Sequence, residues 1–311
     1  TVQRGCDKFC TYCVVPYTRG RQRSLPLLDL IAQVRGAVAR GFREVVFLGQ
    51  TVNSYRDGTH DFADLLRAAD DVEGLYRIRF TSPHPSDMSA RVIAAIAGCA
   101  KVCPQIHLPL QSASDTVLRA MERTYTLDDY RDIVARLRAA IPGLALSTDI
   151  IVGFPGETEE DFERTAAYLR EVRYDSAFLF KYSARPDTKA WRRPETVGEE
   201  EKGRRLERLI AQQQGISGAI NDRLIGREVE VLVEGPARRQ RAGGAEPPPG
   251  ARGSGQLFGK SEHFKTVVFD DDRTPPGALR RVRVVGATPI TLLGEAAGAT
   301  HPEPAIVRLG A

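Results

Sequence analysis

Cys6, Cys10 and Cys13, in the stretch GCDKFCTYC, put three thiols within eight positions of one loop. Thiolates this close suit a soft metal or an iron–sulfur cluster. A closed structural zinc site wants a fourth ligand, usually a second Cys or His pair downstream. The other two cysteines, Cys99 and Cys103, stand far along the chain beside an expected helix end. They read as buried, inert thiols. Three ligands leave one iron of a cubane open to something other than protein. Zinc completed by a distant His or Cys is the plainer alternative.

Further polar residues recur just after apolar runs. Gly49, Gln50 and Asn53 stand in LGQTVNSY, and Gln111 and Ser112 in LPLQSASD. Ser112 with Asp115 also has the spacing of a helix-capping pair. In DIIVGFPGET, Gly153 and Gly156 flank Phe154 and Pro155, which lets backbone approach a ligand closely. Arg185 in YSARPDT offers a fork to a carboxylate or phosphate, or a plain surface ion pair. Arg19, Arg21 and Arg23 follow the cysteine loop and could track phosphates, or form a solvated face. His84 and His107 are expected to serve strand ends or core hydrogen bonds.

The elements that must position these residues alternate. Glu44–Gly49, Arg77–Ser82, Gln105–Leu110, Leu144–Gly153 and Ala177–Ser183 read as buried strands. Amphipathic stretches lie between them. Pro26 begins one and Gly41 stops it, while TLDDY and TEEDF each open with Thr and an acid three residues on. Such alternation predicts parallel strands joined by right-handed crossovers. A partial (β/α) barrel fits better than a doubly wound sheet, because the candidate residues follow successive strands. TVQR at the start reads as the tail of a first strand.

Beyond a charged helix the pattern changes to a small antiparallel β domain, with strands at Arg227–Gly235, Lys265–Asp272 and Ala278–Glu295. The Pro-, Gly- and Arg-rich run at 235–255, with Arg238, Arg239, Arg241 and Arg252, reads as a mobile loop adding salt-sensitive attraction to a polyanion. The expected organisation is a core domain over 1–218, a β domain over 219–295 and a tail over 296–311.

Composition narrows the classes. The chain has 311 residues, 42% hydrophobic and 27% charged, enough for two soluble domains. No apolar run approaches a membrane span, and the start lacks a secretory signal. Five cysteines are too few and odd in number for a disulfide scaffold, which points to a reducing cytoplasm. The net charge of +4 permits a nucleic-acid partner without requiring one. Thr1 in place of a start methionine implies an upstream portion.

The cysteine spacing, with Tyr12 before its last member, resembles the signature of the radical S-adenosylmethionine enzymes. The blocks RGCDKFCTYCVVPYTRGRQRS, LGQTVNSY, RFTSPHP, IHLPLQSASD, STDIIVGFPGETEEDF and YSARPDTKA resemble, in order, those of its methylthiotransferases. The MiaB-type tRNA branch is the nearest in pattern. GREVEVLVEG and GQLFGKSEHFKTVVF resemble the family's RNA-binding TRAM domain. Ala113 and Asp187 depart from the family pattern, where glycine is usual.

The resemblance implies a partial (β/α) barrel of radical SAM type followed by a TRAM-like domain. It implies that Cys6, Cys10 and Cys13 hold three irons of a 4Fe-4S cluster, whose fourth iron takes the amino and carboxylate groups of S-adenosylmethionine. Reductive cleavage of that cofactor would give a 5′-deoxyadenosyl radical, able to attack an adenine C2–H that acid–base chemistry cannot activate. Tyr12, Gly49, Gln50, Asn53, Gln111, Ser112, Asp149, Gly153, Phe154 and Arg185 would line the cofactor site. Arg19, Arg21, Arg23, Lys260 and Lys265 would contact RNA.

The implied activity is methylthiolation at C2 of N6-isopentenyladenosine beside a tRNA anticodon, by a monomer fed by flavodoxin or ferredoxin and a sulfur source. A second 4Fe-4S cluster belongs to an N-terminal domain that precedes this region in the family, so sulfur insertion by this stretch alone is not expected. The alternatives are a methylthiotransferase acting on threonylcarbamoyl-adenosine or a ribosomal protein, and a non-catalytic zinc-containing RNA-binding protein.

Overall fold

A computed structural model describes residues 1–237, 255–271 and 273–297. Residues 238–254 of the expected arginine-rich loop and all but the first two residues of the expected tail lie outside the described residues. The chain divides into two compact units, Thr1–Ile216 and Ser217–Ala311, and the division falls within one long helix.

In the first unit, β1 (Gln3–Arg4) leads through the cysteine loop and a short α1 (Val15–Arg19) to β2 (Arg23–Ser24), its antiparallel partner. The parallel strands are β3 (Glu44–Phe47), β6 (Arg77–Phe80), β7 (Gln105–His107), β8 (Ala145–Val152) and β9 (Ser176–Lys181). A small ribbon of β4 (Arg56–Asp57) and β5 (His60–Asp61) branches off after β3. Bridges Gln3–Gly49 and Ile78–Val102 link the pieces, so the parallel strands follow one another in chain order. Their connections carry α2 (Leu27–Ala39), α3 (Phe62–Asp70), α4 (Ala90–Gly98), α5 (Asp115–Ala120), α6 (Leu127–Ala140) and α7 (Glu159–Val172); α8 (Glu199–Asp222) follows β9.

Local chemistry explains where these elements start. Thr126 and Asp129 form a reciprocal capping box on α6, and Thr158 and Asp161 do the same on α7, as the two Thr-to-acid spacings predict. Pro26 is the N-cap of α2, and Gly41 turns the chain at φ 93° after it. At α5 the cap is Ser114, not Ser112: the Ser114 Oγ accepts from Val117 N. Ser112 lies deeper, with its Oγ accepting from Ser114 N.

Strand alternation divides the sheet into two faces. Val45, Phe47, Ile78, Phe80, Ile106, Leu146, Ile150 and Val152 pack under the helices in the main core. By register the opposite face carries Glu44 beside Arg77, Val46 beside Arg79, His107 beside Ser147, and Asp149 beside Phe178. Val46, Phe178 and Phe180 on that face are exposed, so the concave side is open rather than filled.

The second unit forms a closed five-stranded barrel of β10 (Glu228–Pro236), β11 (Gln256–Ser261), β12 (Thr266–Asp270), β13 (Leu279–Ala287) and β14 (Thr291–Ala296). All pairings are antiparallel except that of β12 with β14. Val231, Val233, Val267, Phe269, Val282, Val284 and Leu292 fill its core. The sequence leaves β11 unassigned and joins β13 and β14 into one run. The turn around Thr288, whose hydroxyl accepts from Thr291 N, separates them.

Candidate metal centre

The cysteine loop leaves β1 at Gly5, whose φ of 77° and lack of a side chain are both needed: a Cβ there would stand 2.2 Å from Arg21 O. Gly5 N donates to Gln50 Oε1 at 2.8 Å, and Cys6 N to Gly20 O at 3.2 Å. Thr11 N donates to Met121 O and Thr11 Oγ1 to Ala120 O, each at 3.0 Å, while Ala190 N donates to Thr11 O at 2.8 Å. Lys8 pairs with Asp87 at 2.7 Å. The loop is thereby tied to five other places in the unit.

None of the five cysteines is in a disulfide; Cys6, Cys10 and Cys13 are half-buried, Cys99 and Cys103 buried. Burial pushes the Cys13 thiol above its usual range, and the neighbouring Cys10 and Cys6 add to it. Burial likewise raises Cys99 to about 11, as an inert core thiol requires. Cys6 Sγ stands 3.2 Å from Thr51 Oγ1, and Arg123 Nη1 donates to Cys10 Sγ at 3.4 Å. Burial opposes the charge on Arg123, but Tyr125, Tyr12 and Cys10 outweigh it and hold the guanidinium protonated.

The donor set fits a cluster. Among the described residues no three His, Cys, Asp or Glu side chains converge as one metal ion would require. Zinc with bonds of about 2.3 Å would draw tetrahedral thiolates to about 3.8 Å of one another. Three thiolates on one loop suit an iron–sulfur cluster, and hydrogen bonds to its sulfurs, such as that from Arg123 to Cys10, tune it.

The other expected residues fall into distinct groups. Gln50 spends its carbonyl on Gly5, and Gly49 is held close to Val52, with only 3.0 Å between a hypothetical Cβ and Val52 Cα. Asn53 Nδ2 donates to His84 O at 2.9 Å and its Oδ1 accepts from His84 N at 2.7 Å, so its amide joins two strand-end loops. Gln111 takes a positive φ of 75° and bonds through its backbone to Asp149 O and Ile151 N. Ser112 is fully buried, 3.4 Å from Thr165 Oγ1. Asp149 Oδ2 lies 3.3 Å from His107 Nε2 on the open face, and His107 stacks edge-on to Phe178.

Gly153 and Phe154 follow β8 directly. The close approach at Gly153 is made by the Lys202 stem, and Gly153 N donates to Glu157 Oε2 at 2.6 Å. Phe154 is buried against Tyr182, Met121 and Val117 in a satellite core that Tyr12 packs on. Arg185 is exposed. Tyr12 supports the loop from below, and burial raises its hydroxyl above the usual phenol range.

Arg21 Nε donates to Asp7 Oδ1 at 2.7 Å in an exposed ion pair. Arg19 and Arg23 do stand together. With Arg4, Thr18, Ser24 and Leu25 they line an open cleft of about 710 Å³ that carries no acid in its wall. In the barrel unit, Lys260 and Lys265 flank the β11–β12 turn, where Lys260 Nζ lies over the exposed Phe264 ring at 4.8 Å. Thr51, Arg123 and the His107–Asp149 pair escape sequence reasoning, since nothing local to any of them marks its partner.

Comparison with known proteins places this geometry. The sequence profile described as the Radical SAM superfamily matches residues 1–169. The tRNA-2-methylthio-N(6)-dimethylallyladenosine synthase of Porphyromonas gingivalis is 47% identical over 300 residues, 95% of this chain and 62% of that protein. The synthase of the same name from Alkaliphilus oremlandii is 44% identical over 297 residues, 94% of this chain and 60% of its own. The chain thus spans about 60% of the length of these curated relatives. Among solved structures, the radical S-adenosylmethionine methyltransferase TsrM from Kitasatospora setae superposes with a TM-score of 0.53 at 19% identity, covering 61% of this chain and 35% of that one. At that identity the likeness concerns the fold.

Proposed function

Because the chain belongs to the radical SAM superfamily, we propose that it is the core and RNA-binding portion of a tRNA methylthiotransferase that modifies C2 of N6-dimethylallyladenosine. The observation that carries this reading is the loop of three free thiols at the strand ends, in a chain alike over nearly its whole length to enzymes of that name. Cys6, Cys10 and Cys13 hold a 4Fe-4S cluster, with one iron left to S-adenosylmethionine. When bound, this pair supplies radical chemistry at an unactivated C–H bond.

The chain's own residues prepare the place. Gln50 and Thr51 fix the first cysteine, and Tyr12 supports the last. The open sheet face, with Phe178, Phe180 and the His107–Asp149 pair, suits a planar base extruded from an anticodon loop. Gln111, Asp149 and Arg185 remain assigned to the cofactor side of that space. Arg4, Arg19 and Arg23 hold backbone phosphates in their cleft, and the barrel unit, through Lys260 and Lys265, adds a second RNA contact.

A one-electron donor, a sulfur source and the second cluster of an N-terminal domain complete the reaction. The protein acts as a cytoplasmic monomer; among the described residues no helix is long and apolar enough to cross a membrane. The test is anaerobic reconstitution with iron and sulfide, followed by EPR of the reduced protein with and without S-adenosylmethionine. A 4Fe-4S signal that shifts with the cofactor is expected. Colourless zinc-loaded protein, or a cluster indifferent to the cofactor, would defeat the reading. Nucleoside analysis of tRNA from cells lacking the full-length protein tests the substrate.

A further inference from the structure

Arg123 sits in the turn after α5 with each guanidinium nitrogen committed. Nε donates to Tyr125 Oη at 2.9 Å, Nη1 to Cys10 Sγ at 3.4 Å and Nη2 to Pro109 O at 3.3 Å. Its charged plane lies 5.0 Å from the Tyr125 ring centroid. Tyr125 is fixed in turn, since its hydroxyl donates to Leu110 O at 2.7 Å. A planar fork held at three points cannot swing to a new partner without losing several bonds.

Among the described residues no carboxylate pairs with the half-buried Arg123. The buried cations Arg79, Lys202 and Arg205 of this unit do have acid partners, Glu44 for the first, Glu195 and Glu199 for the second and Glu157 for the third. Arg123 meets two phenols, a carbonyl and a sulfur, and none of its contacts among the described residues is an ion pair. A charge withdrawn from water is costly until an opposite charge joins it. The one neighbour that becomes anionic on binding metal is Cys10.

We propose that Arg123 is the built-in counter-charge of the cluster and raises its reduction potential through the Cys10 sulfur. This rests on the reading that Cys6, Cys10 and Cys13 hold a 4Fe-4S cluster. In the step concerned, a reduced iron–sulfur or flavin donor gives up one electron, and the cluster gains one negative charge. No bond or proton moves. A fixed positive group beside the sulfur favours the state with the extra electron, and an N–H···S bond acts in the same direction. Arg123 is a positioning residue: it touches a ligand sulfur and not the substrate.

The test is a redox titration, followed by EPR, of the full chain reconstituted anaerobically, comparing wild type with Arg123→Met and Arg123→Lys at equal iron content. At the wild-type midpoint, Arg123→Met is expected to show at least a tenfold lower ratio of reduced to oxidised cluster, which is a shift of about 59 mV for one electron. Arg123→Lys, which keeps the charge but not the fork, is expected between the two. Coincident midpoints for wild type and Arg123→Met would overturn the proposal. If Arg123→Met takes up no iron, Arg123→Lys decides: a lowered midpoint supports the proposal and an unchanged one overturns it. Wild-type protein that takes up no cluster would instead sink the underlying reading.

Discussion

The side-chain stem of Lys202 crosses Gly153 so closely that a Cβ on the glycine would stand 2.4 Å from Lys202 Cγ. Lys202 is fully buried, and its Nζ reaches Glu195 at 2.6 Å and Glu199 at 2.9 Å, so the stem has little room to retreat. Gly153 also holds φ at 72°, where a side chain is strained. Gly153→Ala is therefore expected to lower stability by roughly 1–3 kcal/mol, read as a fall in the urea midpoint. An unchanged midpoint would show that α8 gives way at this point.

Gly5→Ala should act on the cysteine loop alone. Its Cβ would meet the backbone of Arg21, not a movable side-chain tip. Iron uptake on reconstitution is expected to fall severalfold while far-UV circular dichroism stays that of the wild type. Full uptake would mean that the loop can be rebuilt around a side chain.

His84 gives a pH signature. Burial, helped by Arg123 and Lys8, pushes its pKa down to about 2 from the ordinary 6.5. Below 6.5 the unfolded chain takes up a proton that the folded one refuses, so stability falls as pH drops from there and is flat above it. The slope approaches about 1.4 kcal/mol per pH unit for one group. His84→Gln is expected to flatten the urea-midpoint profile between pH 6.5 and 5. Parallel profiles for the two proteins would count against it.

The arginine cleft predicts a salt dependence. Replacing Arg19 or Arg23 with Ala should weaken binding of an anticodon stem-loop RNA, measured by fluorescence anisotropy. Each loss should lower the slope of log affinity against log salt by about one. Arg21→Ala, whose partner is Asp7, should change that slope much less. Equal effects at all three positions would mean that the Asp7 pair opens on binding.

Features encoded locally were legible in the sequence. Both Thr–Asp boxes, all five parallel strands and the three-cysteine loop depend on residues a few positions apart. Ser112 reads as a cap two residues too early, because Ser112–Asp115 and Ser114–Val117 have the same spacing and only packing against Thr165 separates them. The partners of Arg21 and Asn53, Asp7 and His84, are brought to them by the fold and leave no mark in the sequence around either residue. Arg123 gave no signal at all: it meets Cys10 from the far side of the unit's sequence. The five strands of the second unit are only partly separable in the sequence, since β11 carries Gly259 and Ser261 at inward positions where an apolar alternation would be read.

The β12–β14 pairing has a consequence for how the chain can be shortened. That single parallel ladder is what leaves the second unit without an unpaired strand. A chain cut before Thr291 would bare one flank of β12 and one of β13, each a row of unsatisfied backbone groups ready to recruit another chain. Truncation there should thus yield self-associating protein, whereas a cut after Ala296 preserves every ladder.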